Sequence, residues 1–187
     1  IFVNNAAYSY YDHSYGGAIS FYKTEGSLKY CSFKNNIASS NSSDLLGGAI
    51  YIVDSHQTFD KCYFHNNIAN KGKSSITNNR TFGGAISFSN SDGLFAYCIF
   101  INNTASTQSF RSYRGAISFI GKRGSFKKCI FINNTVSSDQ TYSYGGVMYF
   151  RGKNISFEDT SFINNTSFSA FGNSHGGAIS ISEASGF

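Results

Sequence analysis

The chain has 187 residues, one domain's length by the usual prior of ~100–200, and its 41% hydrophobic content excludes general disorder. Charged residues are only 13%, about half the usual ~25%, which argues against coiled coils and long helical bundles, and the absence of Pro excludes collagen-like and Pro-rich classes. The net charge of +5 is scattered with no run of five Lys or Arg, so no nucleic-acid partner is expected.

The first residues, Ile1-Phe2-Val3-Asn4-Asn5, carry no basic region and no signal-peptide core. No stretch approaches the ~18 consecutive apolar residues of a membrane-spanning helix. From here two motifs alternate to the end. Phe-x-Asn-Asn begins at Phe2, Phe33, Phe64, Phe100, Phe131 and Phe162, with spacings of 31, 31, 36, 31 and 31. Gly-Gly-Ala-Ile stands at Gly16, Gly47, Gly83 and Gly176, with variants at Arg114 and Gly145, spaced 31, 36, 31, 31 and 31. One five-residue insertion between Asn70 and Phe82 explains both exceptions. Chance does not keep two motifs in step over six copies, so the chain is read as a repeat protein.

Each Gly pair breaks a helix, and the residues after it alternate with period two. The column Ile19/Ile50/Ile86/Ile117/Met148 is large and apolar, Ser20/Tyr51/Ser87/Ser118/Tyr149 is mostly polar, and Phe21/Ile52/Phe88/Phe119/Phe150 is apolar again. That predicts a strand with one buried face. A second strand precedes the Asn pair, through Leu28/Phe59/Phe95/Phe126/Phe157, Cys31/Cys62/Cys98/Cys129/Thr160 and the Phe column. Its three-residue step between the first two columns predicts a bend or bulge. A strand-turn-strand unit in constant register stacks on itself, pairing each strand in parallel with its counterpart. The expected fold is an all-β parallel β-helix of about six coils, some 29 Å long at ~4.8 Å per coil. A leucine-rich solenoid is disfavoured by the absence of Leu-x-x-Leu-x-Leu, and a propeller by the short repeat. Residues 1–187 are expected to form one such domain, cut from a longer repeat protein, because both ends fall inside a repeat and no capping coil is visible.

Paired Gly-Gly-Ala-Ile and Phe-x-x-Asn motifs, the latter met by Phe33-Lys34-Asn35-Asn36 and Phe100-Ile101-Asn102-Asn103, resemble the repeats of chlamydial-type polymorphic outer membrane proteins. Similar repeats occur in protozoan surface-protein families. The resemblance implies a right-handed β-helix displayed on a cell surface or secreted, with adhesion as the usual role. In the bacterial family such repeats form the passenger of an autotransporter. The implied partner is a protein or glycan of a host or neighbouring cell, or a second copy of the chain.

The residues themselves nominate few chemical groups. In each Asn pair (Asn35–Asn36, Asn66–Asn67, Asn102–Asn103, Asn133–Asn134, Asn164–Asn165) one side chain is expected to point inward and form a ladder. Alternation from the Phe selects the first Asn and the family motif the second. Cys31, Cys62, Cys98 and Cys129 share one column. Side chains in register run parallel, which suits the disulfide dihedral poorly, so free core thiols are expected; without Cys-x-x-Cys no zinc site, and no other cofactor, is expected.

An enzyme reading rests on the column Glu25, His56, Asp92, Arg123, Asn154, where stacking brings mixed polar groups to one corner. Polysaccharide-active β-helices need clustered carboxylates. Here Glu25 and Asp92 fall two coils apart, near ~10 Å, with His56 between. Gly26, Gly93 and Gly124 instead mark the column as a solvated turn. Seven Asn-x-Ser/Thr sequons stand at Asn41, Asn79, Asn102, Asn133, Asn154, Asn164 and Asn165. Asn102, Asn133 and Asn164 belong to the pair motif and are poor acceptors if buried, which leaves Asn41 and Asn79 as the better ones. The loops between motifs vary most and are rich in Tyr and Ser. Finally, alternation turns Ile99, Ile101, Ile130, Ile132 and Ile163 outward, where earlier coils carry Ser32, Lys34, Tyr63 and His65; this stripe is the candidate partner-binding face. The sequence thus supports a non-catalytic adhesin-type module or stalk, with a polysaccharide-active enzyme and a purely structural spacer as the alternatives.

Overall fold

A computed structural model describes residues 1–41, 43–71, 80–108, 111–113, 115–139 and 142–182, with backbone alone at 71 and 111–113. The described residues form a parallel β-solenoid without helix. Four sheets run along it. Sheet 1 stacks Phe2–Val3, Ser32–Lys34, Tyr63–His65, Ile99–Ile101, Ile130–Ile132 and Ser161–Ile163. Sheet 2 follows the Asn pair, from Ala6–Ser9 up to Thr166–Ser169, and sheet 3 leads to the Gly pair, from Ser14–Tyr15 up to Ser174–His175. Sheet 4 follows the Gly pair and holds eight strands, because Ile50–Val53 and His56–Asp60 of one coil become the single strand Ile86–Ala96 of the next.

Every rung pairs with its counterpart: Phe33 with Phe64, Phe64 with Phe100, Ile50 with Ile86. The insertion leaves this register intact. It departs after Ile68–Lys71 and rejoins at Arg80–Phe82, where Phe82 pairs with Leu46; residues 72–79 lie outside the described set.

The coil has more corners than the strand-turn-strand unit of the sequence. The expected bend before the Cys column is a full corner at Tyr30, Lys61, Tyr97, Lys128 and Asp159, whose φ values are 49–54°. This left-handed conformation costs an L-residue about 1–2 kcal/mol. Backbone bonds to the rung above offset it, such as Lys61 N–H to the Ala96 carbonyl at 2.9 Å. A second left-handed corner lies at the first Asn of each pair, and a third at the first Gly, with φ of 50–75°.

These corners divide the cross-section into two lobes. Between sheets 4 and 1 lies an aromatic core. Phe2, Phe33, Phe64, Phe100, Phe131 and Phe162 stack with centroids 4.6–5.2 Å apart and planes within 12° of parallel. Phe59, Phe95, Phe126 and Phe157 form a second stack, edge-on to the first at 5.5–6.0 Å. In-register repetition thus gives each ring from Phe59 and Phe64 upward an offset-stacked and an edge-to-face partner together.

Sheets 2 and 3 enclose a thinner lobe filled by small side chains, Ala38, Ala69, Ala105 and Val136, with hydroxyls bonded across it. Thr81 Oγ1 donates to the Ser106 carbonyl and Ser14 Oγ to that of Ala7. The lobes meet at a neck where backbone touches backbone. A Cβ on Gly17, Gly48, Gly84 or Gly146 would stand 2.5–2.7 Å from main-chain atoms of Ile37, Ile68, Thr104 or Thr166, the residue after each Asn pair. Only glycine permits that approach, so the two motifs stay in step because they touch.

One expected solvent column is not solvated. Ser87 and Ser118, read as outward and polar, are buried, and Tyr149 is only 9% exposed. Sheet 3 supplies cover at two rungs: Tyr15 stacks on Tyr51 at 4.9 Å, and Tyr144 meets Tyr149 edge-on at 5.8 Å.

Candidate functional site

The Asn corner resolves into two unlike columns. The second Asn points inward: Asn36, Asn67, Asn103 and Asn134 are fully buried. Each side-chain oxygen accepts from both the backbone N–H and the Nδ2 of the Asn one rung below, as Asn103 Oδ1 does from Asn67 at 3.1 and 2.9 Å. Each Nδ2 also donates to the Phe carbonyl of the lower rung, as Asn67 does to Phe33 at 3.0 Å. Asn165 caps the upper end with the same bonds to Asn134.

The first Asn of each pair, Asn35, Asn66, Asn102, Asn133 and Asn164, has no place in this ladder. Alternation fails there because φ near +55° rotates the following side chain inward and turns its own outward. Asn102, Asn133 and Asn164 are therefore exposed, not buried.

The corner separates two outer faces whose polarity exchanges at one level. On sheet 1 the lower rungs carry Ser32, Lys34, Tyr63 and His65; the upper carry Ile130 over Ile99, and Ile101, Ile132 and Ile163 in line. On sheet 2 the lower rungs present Ile37 and Ile68 and the upper present Thr104, Thr135 and Thr166. An apolar stripe thus crosses the corner obliquely. The Ile of sheet 1 are half-buried by their own neighbours, except Ile163, which is 44% exposed. At its lower edge, burial and then the Lys34 charge hold the His65 imidazole below its ordinary value.

The thiols line the aromatic core and are free. They are donors as well as small apolar groups. Cys62 Sγ lies 3.2 Å from the Leu28 carbonyl, Cys98 Sγ 3.5 Å from that of Phe59, and Thr160 Oγ1 continues the pattern to Phe126 at 3.0 Å. Hydrogen bonding with Cys129 and then Cys62, together with burial, raises the Cys98 thiol above its ordinary value. Burial likewise raises Cys31. In the folded protein a thiol reagent should find Cys31 at most, since Cys62, Cys98 and Cys129 are buried. Four thiols should titrate after unfolding without reductant; a rung-to-rung disulfide in the mass spectrum would contradict this.

The polar column stacks in register, His56 between Glu25 and Asp92, with Arg123 and Asn154 above. Its lower part, Glu25, His56 and Asp92, lines a depression of about 400 Å³ together with Lys23, Asp54, Asn90 and Lys122. Lys23, Asp54 and Asn90, each two residues before its member of the column, have a periodic signal that the sequence reading missed: each lies seven residues after a Gly pair begins. His56 Nδ1 stands 3.5 Å from Asp92 Oδ2, while Asp92 Oδ1 is buried without a partner. A His oriented by a carboxylate is general-base geometry. The two hydroxyls that line the depression are committed elsewhere: Ser55 Oγ donates to the Val53 carbonyl at 2.7 Å and accepts from Thr24 N–H at 3.0 Å, and Thr24 Oγ1 accepts from Gln57 Nε2 at 3.1 Å. Among the described residues no group of His, Cys, Asp and Glu is arranged to hold a metal ion.

Another outer column also escaped the sequence reading. Lys61 Nζ lies 5.1 Å from the Tyr30 ring centroid and 5.9 Å from that of Tyr97, and Lys128 Nζ is 5.7 Å from Tyr97. Aromatic and cation alternate up the corner beside the Ile stripe.

No curated protein and no solved structure matches the chain. Residues 159–182, which hold Phe162-Ile163-Asn164-Asn165 and Gly176-Gly177-Ala178-Ile179, match the family model of the Chlamydia polymorphic membrane protein (Chlamydia_PMP) repeat; in this stretch the chain is similar to that repeat, and its two motifs recur in register through the coils below.

Proposed function

We propose that the chain is a surface-displayed or secreted adhesin-type module, a rigid solenoid that presents a binding face to a protein or glycan of another cell or to a second copy of itself. The observation that carries this is the outward Ile ladder on sheet 1: five large apolar side chains stacked in register and partly exposed on its outer face. A spacer needs only the inner ladders, and polar residues would serve equally on its outer face. The similarity of residues 159–182 to a membrane-protein repeat supports the surface placement.

Ile101→Lys with Ile132→Lys should leave the circular dichroism unchanged and abolish cell binding or self-association, read by flow cytometry and sedimentation. Unchanged binding would move the adhesive role to the variable loops, and no binding by either protein would favour the spacer. The depression beside His56 favours a second reading, a polysaccharide-active enzyme. Cleavage of an acidic polysaccharide that disappears in His56→Ala would establish it.

A further inference from the structure

We propose that the outer Asn corner of the upper coils, Asn102, Asn133 and Asn164, is an acceptor column for N-linked oligosaccharide. The proposal rests on the secretory reading above and adds a modification site to it. Each of these Asn is the first residue of Asn-Asn-Thr. Each is exposed at φ of 51–54°, and none has a side-chain hydrogen bond among the described residues. By contrast, the lower corner closes on itself, with Asn35 Nδ2 donating to Asn4 Oδ1 at 3.2 Å.

The Thr that completes each sequon stands outward on sheet 2, Thr104 paired with Thr135 and Thr135 with Thr166. The same outer column holds Ala6, Ile37 and Ile68 in the lower coils, where the pair is not a sequon. The inner ladder needs only the second Asn, and the outward Thr contributes nothing to the core. The sequon therefore appears where corner and outer face are both open, and its middle Asn turns inward, out of the way.

In the transfer, Asn Nδ2 bonds to the anomeric carbon of the first sugar of a polyprenyl-pyrophosphate-linked oligosaccharide. The bond from that carbon to the pyrophosphate oxygen breaks, the polyprenyl pyrophosphate leaves with the electron pair, and Nδ2 loses one proton. Neighbouring acceptors are one rung apart, about 4.8 Å, less than two substituted pyranose rings require side by side. Occupancy of all three in one molecule is excluded. Asn102 with Asn164 is the fullest pattern, and its glycans would rim the Ile face.

Asn165 also begins a sequon, Asn165-Thr166-Ser167, but its side chain is held in the ladder by Asn134 and by the Phe131 carbonyl, so it stays unmodified. The test is glycopeptide mapping of the protein recovered from the cells that make it. Peptide N-glycosidase in ¹⁸O-water marks each occupied Asn. Label is expected at one or two of Asn102, Asn133 and Asn164 and not at Asn165. Asn102→Gly with Asn133→Gly and Asn164→Gly, which keep the left-handed φ without strain, should remove those glycans and leave the melting temperature unchanged. Three bare corner Asn in protein that a membrane-impermeant biotin reagent labels would overturn this proposal alone. Protein that is neither labelled at the surface nor found in the medium would overturn the secretory reading with it.

Discussion

Asn67→Ala should lower stability by about 3–5 kcal/mol, among the largest effects of any single polar substitution in this chain. Asn67 bonds in both directions. Its Oδ1 accepts from the backbone N–H and Nδ2 of Asn36, and its Nδ2 donates to the Phe33 carbonyl and to Asn103 Oδ1. Truncation takes their bond from the Asn36 N–H and the Phe33 carbonyl and one of two bonds from Asn36 Nδ2 and Asn103 Oδ1, at a site with no solvent exposure, and each orphaned group costs about 1–3 kcal/mol before relaxation. Its neighbour separates the ladder from the corner. Asn66→Gly should be nearly neutral, because Asn66 supplies only a left-handed φ of 55°, and Asn66→Ala should cost about 1–2 kcal/mol through that φ. Urea melts of the three variants check the order. Equal losses at the two positions would mean the corner is assigned wrongly.

Gly84→Ala should cost about 3 kcal/mol or more, or prevent folding, although it adds one methyl group. That methyl would lie 2.5–2.6 Å from the backbone C, N and O of Thr104, across the neck. Neither wall can turn aside as a side chain would, so the two lobes must part. Gly26→Ala is the control. There the added Cβ meets only the flexible end of Gln57, at 2.8 Å from Oε1, and the change should stay within about 0.5 kcal/mol. Thermal melts of both variants check this, and a tolerated Gly84→Ala would remove the neck as the reason for the Gly-Gly motif.

The coil length, parallel register and stacked Phe columns were legible from the sequence because each depends on periodicity, which two motifs in step display directly. The second lobe was not. Its interior is mostly Ala, Ser and Thr, with Leu45 and Val136 the larger exceptions, and such columns resemble a loop's until sheet 3 is seen to close on sheet 2. The corners were hidden for another reason. Tyr30, Lys61, Tyr97 and Lys128 have no intrinsic preference for positive φ, and only the rung above holds them there. That hidden rotation also sent the alternation argument to the wrong Asn and made Asn102, Asn133 and Asn164 look buried. The candidate faces divide likewise: the Ile stripe follows from counting along a strand, whereas the depression beside His56 forms where the chain turns at Lys23, Asp54 and Asn90, all at left-handed φ, a corner that the polar column alone does not announce.

The central claim is that a solenoid of in-register coils is held by an inner Asn ladder with an open Asn column outside it. Side-chain amide hydrogen exchange by nuclear magnetic resonance tests it residue by residue. The Nδ2 protons of Asn36, Asn67, Asn103 and Asn134 should be protected close to the level of global unfolding, while those of Asn102, Asn133 and Asn164 exchange at the rate of a free amide. Protection of the outer set, or fast exchange of both, would contradict the fold described here at the corner on which it turns.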